Sequence, residues 1–313
     1  MVILRKVKSK NKEYWVLVHS IREGKKIIQR TRYIGKNLPP PKRLEYLKKE
    51  FLKEIKGNRY KYFSSEDIER IEGKKEEYNK EINKLSKLEK KKKLEEFIVR
   101  YTYDSSKLSG LDITLRQTYL ILEKGIIPKG FKNLVIIREL ENHEKCIIAI
   151  TKYKGKLDLR FIKKMHNILF VGVDDSIAGK LRYEIKRDVK IAGTVYTPPK
   201  WQTLRKEMDY FFKWYASENR RLHPLELAAL IHLKIASIQP FVDGNSRLAR
   251  LLMNWISRLA RLLMNWILWK REYPLVDIPI EDLEKYYDVL DHYQIEKNEK
   301  PFINYIKIKY LEK

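Results

Sequence analysis

A chain of 313 residues with 43% hydrophobic and 12% aromatic content can bury a sizeable core, as one large domain with an accessory piece or as two domains. Its 67 Lys and Arg against 41 Asp and Glu leave a formal charge of +26, a field that draws nucleic acid, anionic lipid or acidic protein without selecting among them. Charge interrupts every apolar stretch before the roughly 18 residues of a bilayer span, and no signal-peptide pattern opens the chain. The expectation is a soluble, cytoplasmic protein with no membrane partner. A lone Cys146, set in the apolar run CIIAI, excludes an internal disulfide and reads as a buried thiol.

Residues 2–36 read as a small β element. Val2 to Leu4, Tyr14 to Val18 and Ile27 to Tyr33 carry strand-like runs, with a turn at Glu23-Gly24 and basic residues alternating with apolar ones. Prolines 39, 40 and 41 break the chain, because consecutive prolines enter neither a helix interior nor a central strand. Helical patterns follow over Pro41 to Gly57 and Ser65 to Val99, the second opened by the cap signal Ser65-Glu66-Asp67. The lysine run 90–93 reads as a solvated face. Further helices are predicted at Ile113 to Glu123, Leu134 to Glu141, Leu157 to Phe170 and Trp201 to Glu218. Between the last two, AGKLRYEIKRDVKIAGTVYTPP holds the strand-like Val189-Lys190-Ile191 and reads as a hairpin or flap. From Pro224 to Ile238 the chain is apolar all round, which predicts a central buried helix. His232, within it, reads as a packing histidine.

That helix runs into Gln239-Pro240-Phe241-Val242-Asp243-Gly244-Asn245-Ser246-Arg247. Gly244 and Asn245 tolerate irregular backbone, and the next helix opens with unsatisfied N–H groups, so the turn can form a nest for an anion. Arg247 and Arg250 share one face of the first turn and can hold further phosphates, and Asp243 offers a hard oxygen to magnesium. The same residues also make an ordinary Asp-Gly-Asn helix cap with two surface arginines.

The stretch resembles the signature of the Fic/Doc (Fido) family, HPFxDGNGRxxR. The likeness extends over residues 98 to about 290 through LELAALIHLKIASIQPF, RLLMNW, YPLVDIP, the KMHNILF helix and the AGKLR segment. The resemblance implies a mainly α fold, a Fic-type helical bundle with a β-hairpin flap, preceded by the small N-terminal β element. In domains this gives 1–38 for the β element, 39–98 for a charged helical connector and 99–313 for the Fic-like core. It also implies a protein adenylyltransferase that moves AMP from ATP, with Mg2+, onto a Ser, Thr or Tyr hydroxyl of a protein target. By the resemblance Asp243 carries magnesium, and Gly244, Asn245 and Ser246 surround the α-phosphate. Arg247 and Arg250 hold the outer phosphates, Phe241 packs beneath the loop, and the flap residues Val189, Ile191, Gly193 and Thr194 align a target segment by strand addition.

Three departures bear on activity. Gln239 stands where the family has its histidine base, and an amide accepts no proton near neutral pH. Losing a general base costs a factor of about 10² to 10⁴, roughly 3 to 5.5 kcal/mol of barrier. Ser246 replaces a motif glycine. Ser109, in Ser105-Ser106-Lys107-Leu108-Ser109-Gly110, stands where the family's inhibitory segment has a glutamate that pairs with the second motif arginine, so Arg250 is expected to lack that restraint. The alternative to a weakened enzyme is a catalytically inactive nucleotide- or nucleic-acid-binding protein on the same fold.

Ser246 to Ile256 is repeated letter for letter as Ser257 to Ile267. Eleven residues make close to three helical turns, so the second copy keeps the apolar face within about 20° of phase while adding about 16 Å. Both copies cannot occupy one position. The expectation is that the first docks, because it follows the Asp-Gly-Asn turn, that the second is extruded or extends the helix, and that Trp255 and Trp266 differ in burial.

Overall fold

The computed structural model describes residues 2–9, 12–23, 26–57, 60–129, 131, 133–191, 194–242 and 255–312. Two compact units are present, one of residues 1–73 with 220–223, the other of 74–219 with 224–313.

In the first unit, β1 (Ile3–Ser9), β2 (Lys12–Glu23) and β3 (Lys26–Gly35) form an antiparallel sheet in the order β1-β2-β3. All three strands run further than their apolar runs suggested, because backbone pairing continues through charged positions at the sheet ends. Helix α1 (Pro41–Gly57) covers one face, packing Leu44, Leu47, Phe51 and Ile55 onto Leu4, Leu17, Ile21 and Ile34. Its start is fixed by Pro41, whose missing N–H costs nothing in a first turn. Arg32 is held on that side by Glu50 at 3.0 Å and Glu54 at 3.5 Å.

The helical run expected over Ser65 to Val99 is two helices, α2 (Ser65–Lys84) and α3 (Lys87–Leu108). Ser86 separates them: its hydroxyl accepts from Glu89 N and the Glu89 carboxylate accepts from Ser86 N, a capping box that starts a new helix inside a continuous helical pattern. Helix α4 (Leu115–Lys124) begins at a second capping box, Thr114 with Gln117, and ends at Gly125 in left-handed backbone. Helix α5 (Leu134–Lys152) outruns its expected end by three turns, since Leu140, Cys146, Ile147 and Ile150 continue its buried face. Cys146 is buried, and burial pushes its thiol pKa far up, as expected of an inert packing residue. Helices α6 (Leu159–Phe170), the short α7 (Arg182–Ile185) and α8 (Leu204–Glu218) follow.

The centre of this unit is α9 (Pro224–Ile238), buried along almost its whole length, with α10 (Trp255–Lys270) packed along it. Helices α11 (Leu283–Glu296) and α12 (Lys300–Leu311) close the far side. His232 on α9 bonds Tyr286 Oη at 3.0 Å and stacks on Phe302, and burial holds its pKa far below the ordinary imidazole value. It is a neutral packing histidine.

The flap differs from its expectation. Among the described residues no strand forms at Val189 to Ile191. The chain leaves α7 through Lys186 in left-handed backbone, and the Asp188 carboxylate then accepts from Trp201 N. Val189 and Ile191 are half-buried, Thr194 donates to Asp291 Oδ1 at 2.8 Å, and Gly193 lies outside the described residues.

Candidate functional site

The end of α9 is built around Arg182. This guanidinium is fully buried and donates to the backbone carbonyls of Gln239, Ile238 (3.0 Å) and Pro199 (2.8 Å), while the Arg182 backbone N–H reaches Pro240 O at 3.0 Å. The last carbonyls of a helix have no partner within it, so one planar five-donor group here satisfies the terminus that leads into the loop. Burial lowers the Arg182 pKa to about 10, opposed by Asp188 at 3.6 Å. The guanidinium therefore stays charged at neutral pH.

Gln239 has φ +51°, a left-handed backbone that a non-glycine residue adopts only when its surroundings impose it. Its side-chain amide turns back onto α9 and donates to Ala236 O at 2.7 Å, and only 5% of the residue is exposed. Phe241 is fully buried and lies flat on His166 of α6, ring centroids 3.8 Å apart. His166 Nδ1 accepts from Gly179 N, and burial lowers its pKa to about 3, so this imidazole is a neutral floor for the loop. Gly179 is needed there: its φ is +69°, and a Cβ would sit 3.1 Å from Asn167 and 3.2 Å from Lys163 O.

Asp243, Gly244, Asn245, Ser246, Arg247 and Arg250 all lie outside the described residues, as does the rest of the first repeat copy up to Asn254. The second copy is the one packed into the core. Leu259, Ala260, Leu262, Leu263, Met264 and Trp266 are buried, Asn265 exchanges two 2.8 Å bonds with the Val276 backbone, and Trp266 Nε1 donates to Tyr153 O. The expectation that this copy would be extruded is thereby overturned. The physical reason is continuity: α10 runs unbroken into Leu268-Trp269-Lys270, and Trp269 Nε1 donates to Thr151 O. The comparison of Trp266 with Trp255 falls outside the described side chains.

With the second copy docked, its arginines meet Ser105 and Ser109. Arg258 and Arg261, the copies of Arg247 and Arg250, are 0% and 1% exposed. Arg258 Nε donates to Ser109 Oγ at 2.9 Å and lies 3.3 Å from Ser105 O; Arg261 donates to Ser105 Oγ at 3.2 Å and Ser105 O at 3.3 Å. Ser109 in turn donates to Ser105 O. From α5, the Glu139 carboxylate stands 3.8 Å from Arg258, its pKa raised by burial to about 7 against the pull of that arginine. His143, beside them, is bonded to Thr102, and burial together with both arginines depresses its pKa far below the ordinary value. Arg261 Nη1 has no hydrogen-bond partner among the described residues, so the cluster retains a donor that suits an anion. Among the described residues no cluster of three or more His, Cys, Asp and Glu is placed to hold a metal.

Sequence reasoning missed Arg182 and Glu139. The first sat unused within the quoted AGKLR segment; the second had no local signal, since its role depends on which helix faces α5.

Residues 156–257 match the Fic/DOC family profile. Over that segment the chain is similar to Fic/DOC domains. That match runs through the loop and the first copy of the repeat and ends at Ser257, whereas the packed helix is made of the second. The chain is 30% identical to "Protein adenylyltransferase Fic" of Nematostella vectensis over 229 residues, 69% of this chain and 48% of that protein. It is 33% identical to the protein of the same name in Drosophila virilis over 211 residues, 66% of this chain and 40% of that one. The chain thus spans about half, or less, of the length of these curated relatives. Among solved structures, a Fic domain containing signaling protein of Bacteroides thetaiotaomicron superposes with a TM-score of 0.66 at 24% identity, covering 79% of this chain and 94% of the other. Fic-1 of C. elegans (residues 134–508) gives 0.64 at 23%, covering 79% and 68%. The mainly helical Fic fold with a small N-terminal three-stranded sheet is therefore what this sequence forms. Among the described residues no helix is long and apolar enough to cross a membrane.

Proposed function

We propose that this chain is a Fic-type protein adenylyltransferase whose transfer step is slowed by its own sequence. It binds ATP with Mg2+ and passes AMP to a Ser, Thr or Tyr hydroxyl of a protein target. The observation that carries the reading is the Fic/DOC domain, with Gln239 at the end of its buried helix and two buried arginines beside Ser105 and Ser109. The distant homology to proteins named adenylyltransferase supports the same reaction class. Asp243 would take magnesium, Gly244, Asn245 and Ser246 the α-phosphate, and the motif arginines the outer phosphates.

The slow step follows from Gln239. Its amide nitrogen is committed to Ala236 O, and neither amide atom takes a proton from an alcohol near pH 7. Target and nucleotide can then be held while the hydroxyl is activated only by solvent.

The test is incubation of the chain and of a Gln239→His version with magnesium and α-labelled ATP, followed by detection of label on protein. Label from the His version at least about 10²-fold above the parent is the expected result, the scale of a restored general base. Two folded proteins that bind magnesium-ATP yet transfer nothing would replace this reading with nucleotide binding alone.

A further inference from the structure

The N-terminal sheet presents a second surface, unconnected with nucleotide chemistry. Residues 2–38 contain eleven Lys and Arg and two Glu, a far greater basic excess than in the chain as a whole. The sheet has one face covered by α1; on the other face the central Val16 and Val18 are buried and the side chains flanking them are exposed. On the covered face, beside α1, Arg32 is held by Glu50 and Glu54 and Lys6 by Glu13, while Lys8 and Arg30 of the same face are exposed. The register sets a different group on the open face. Ile3, Val18 and Thr31 lie side by side, as do Arg5, Val16 and Tyr33, and Ser20 opposes Gln29. Arg5, Ser20, Gln29, Thr31 and Tyr33 are exposed, Tyr33 to 60%.

We propose that this open face binds duplex DNA by entering its major groove. Size is the first support. The major groove of B-form DNA is about 12 Å wide and admits a two-stranded ribbon, so two neighbouring strands of this sheet, about 4.8 Å apart, can enter it together. Chemistry is the second. An arginine, a glutamine and two hydroxyls, alternating with small apolar side chains on a rigid surface, are the groups that recognise guanine, adenine and mixed base edges. Charge is the third: Lys12, which has the parity of Val16 and Val18, and Lys36, just past the end of β3, are exposed where the phosphates bordering a groove would lie.

The alternatives fit less well. The major groove of A-form RNA is deep and narrow and does not admit a sheet. Single strands are held by stacking on ring faces, and here Tyr14 and Tyr33 are inclined at 56° to each other, which makes no common platform. A lipid surface would call for a continuous apolar face, which Arg5, Gln29 and Thr31 interrupt.

The experiment is fluorescence anisotropy of the full chain with a labelled duplex DNA of about two helical turns, over a series of salt concentrations. Single-stranded DNA and duplex RNA of the same sequence serve as competitors. Binding to duplex DNA should weaken steeply with salt. Arg5→Ala and Gln29→Ala, at exposed positions that leave the fold intact by circular dichroism, should each weaken it by about tenfold, the scale of one lost base-edge contact. Lys206→Ala and Lys213→Ala on α8 should not. Equal losses from both pairs of variants would mean diffuse attraction by the +26 charge and would overturn the proposal. So would tighter binding of the single strand or of duplex RNA.

Discussion

Arg258 Nε donates a 2.9 Å hydrogen bond to Ser109 Oγ, and both side chains are buried. This contact joins the tandem repeat to Ser109, the residue that the resemblance to the Fic/Doc signature singles out. The hydroxyl meets an arginine from the second copy, and the Glu139 carboxyl of α5 stands 3.8 Å from that arginine. Asn245 precedes Arg247 by two residues and Arg258 by thirteen, so the packed arginine pair is separated from the Asp-Gly-Asn turn by one extra copy.

Packing of the second copy predicts unequal sensitivity of identical residues. Leu262→Ala removes a fully buried side chain and should cost about 2 to 5 kcal/mol. Leu251→Ala, its counterpart in the first copy, should cost less. Urea midpoints of the two variants decide this, and equal or reversed losses would mean that the copies exchange places.

Glu139 makes stability depend on pH with a definite sign. Its carboxyl titrates at about 7 in the folded chain, raised chiefly by burial, against 4.5 when unfolded. Between those values the folded chain keeps a proton that the unfolded chain releases, so stability falls as pH rises through the window, by about 3 kcal/mol in total. Urea titrations from pH 4.5 to 8 should show that decline. Glu139→Gln should flatten it, whereas parallel curves would contradict the assignment.

The fold was legible wherever local rules decide. The sheet, the cap at Pro41, the buried α9 and the amphipathic α6 followed from alternation, proline and periodicity. Ser86 was overlooked because a helical pattern continues on both sides of it, and only its reciprocal bond with Glu89 marks the break. The docked repeat could not be read locally at all. Two identical copies have identical propensities, and the choice between them rests on Trp269 and Lys270 continuing the helix downstream. At the site, Gln239 and Ser109 were singled out from the sequence, but Arg182, which donates to the Gln239 carbonyl, and Glu139, which faces Arg258, were not, since carbonyl capping and a contact between helices leave no spacing in the sequence.

Arg182 should prove a structural determinant of the site. Arg182→Ala would leave the carbonyls of Pro199, Ile238 and Gln239 without their donor. At about 1 to 3 kcal/mol for each buried group left unsatisfied, a loss of several kcal/mol is expected, and Arg182→Lys should recover part of it. Thermal unfolding checks this; a loss below about 0.5 kcal/mol, the range of an unremarkable surface change, would remove Arg182 from the site's architecture.

The most direct measurement is label transfer from α-labelled ATP by two Gln239→His proteins, one with the full chain and one lacking residues 246–256. The deletion joins Asp243-Gly244-Asn245 directly to the packed arginines Arg258 and Arg261. If Gln239 and the extra copy each restrain an adenylyltransferase site, both proteins label, and the single-copy protein labels faster. Absence of label from both, with magnesium-ATP bound and the fold intact, would contradict the proposed activity.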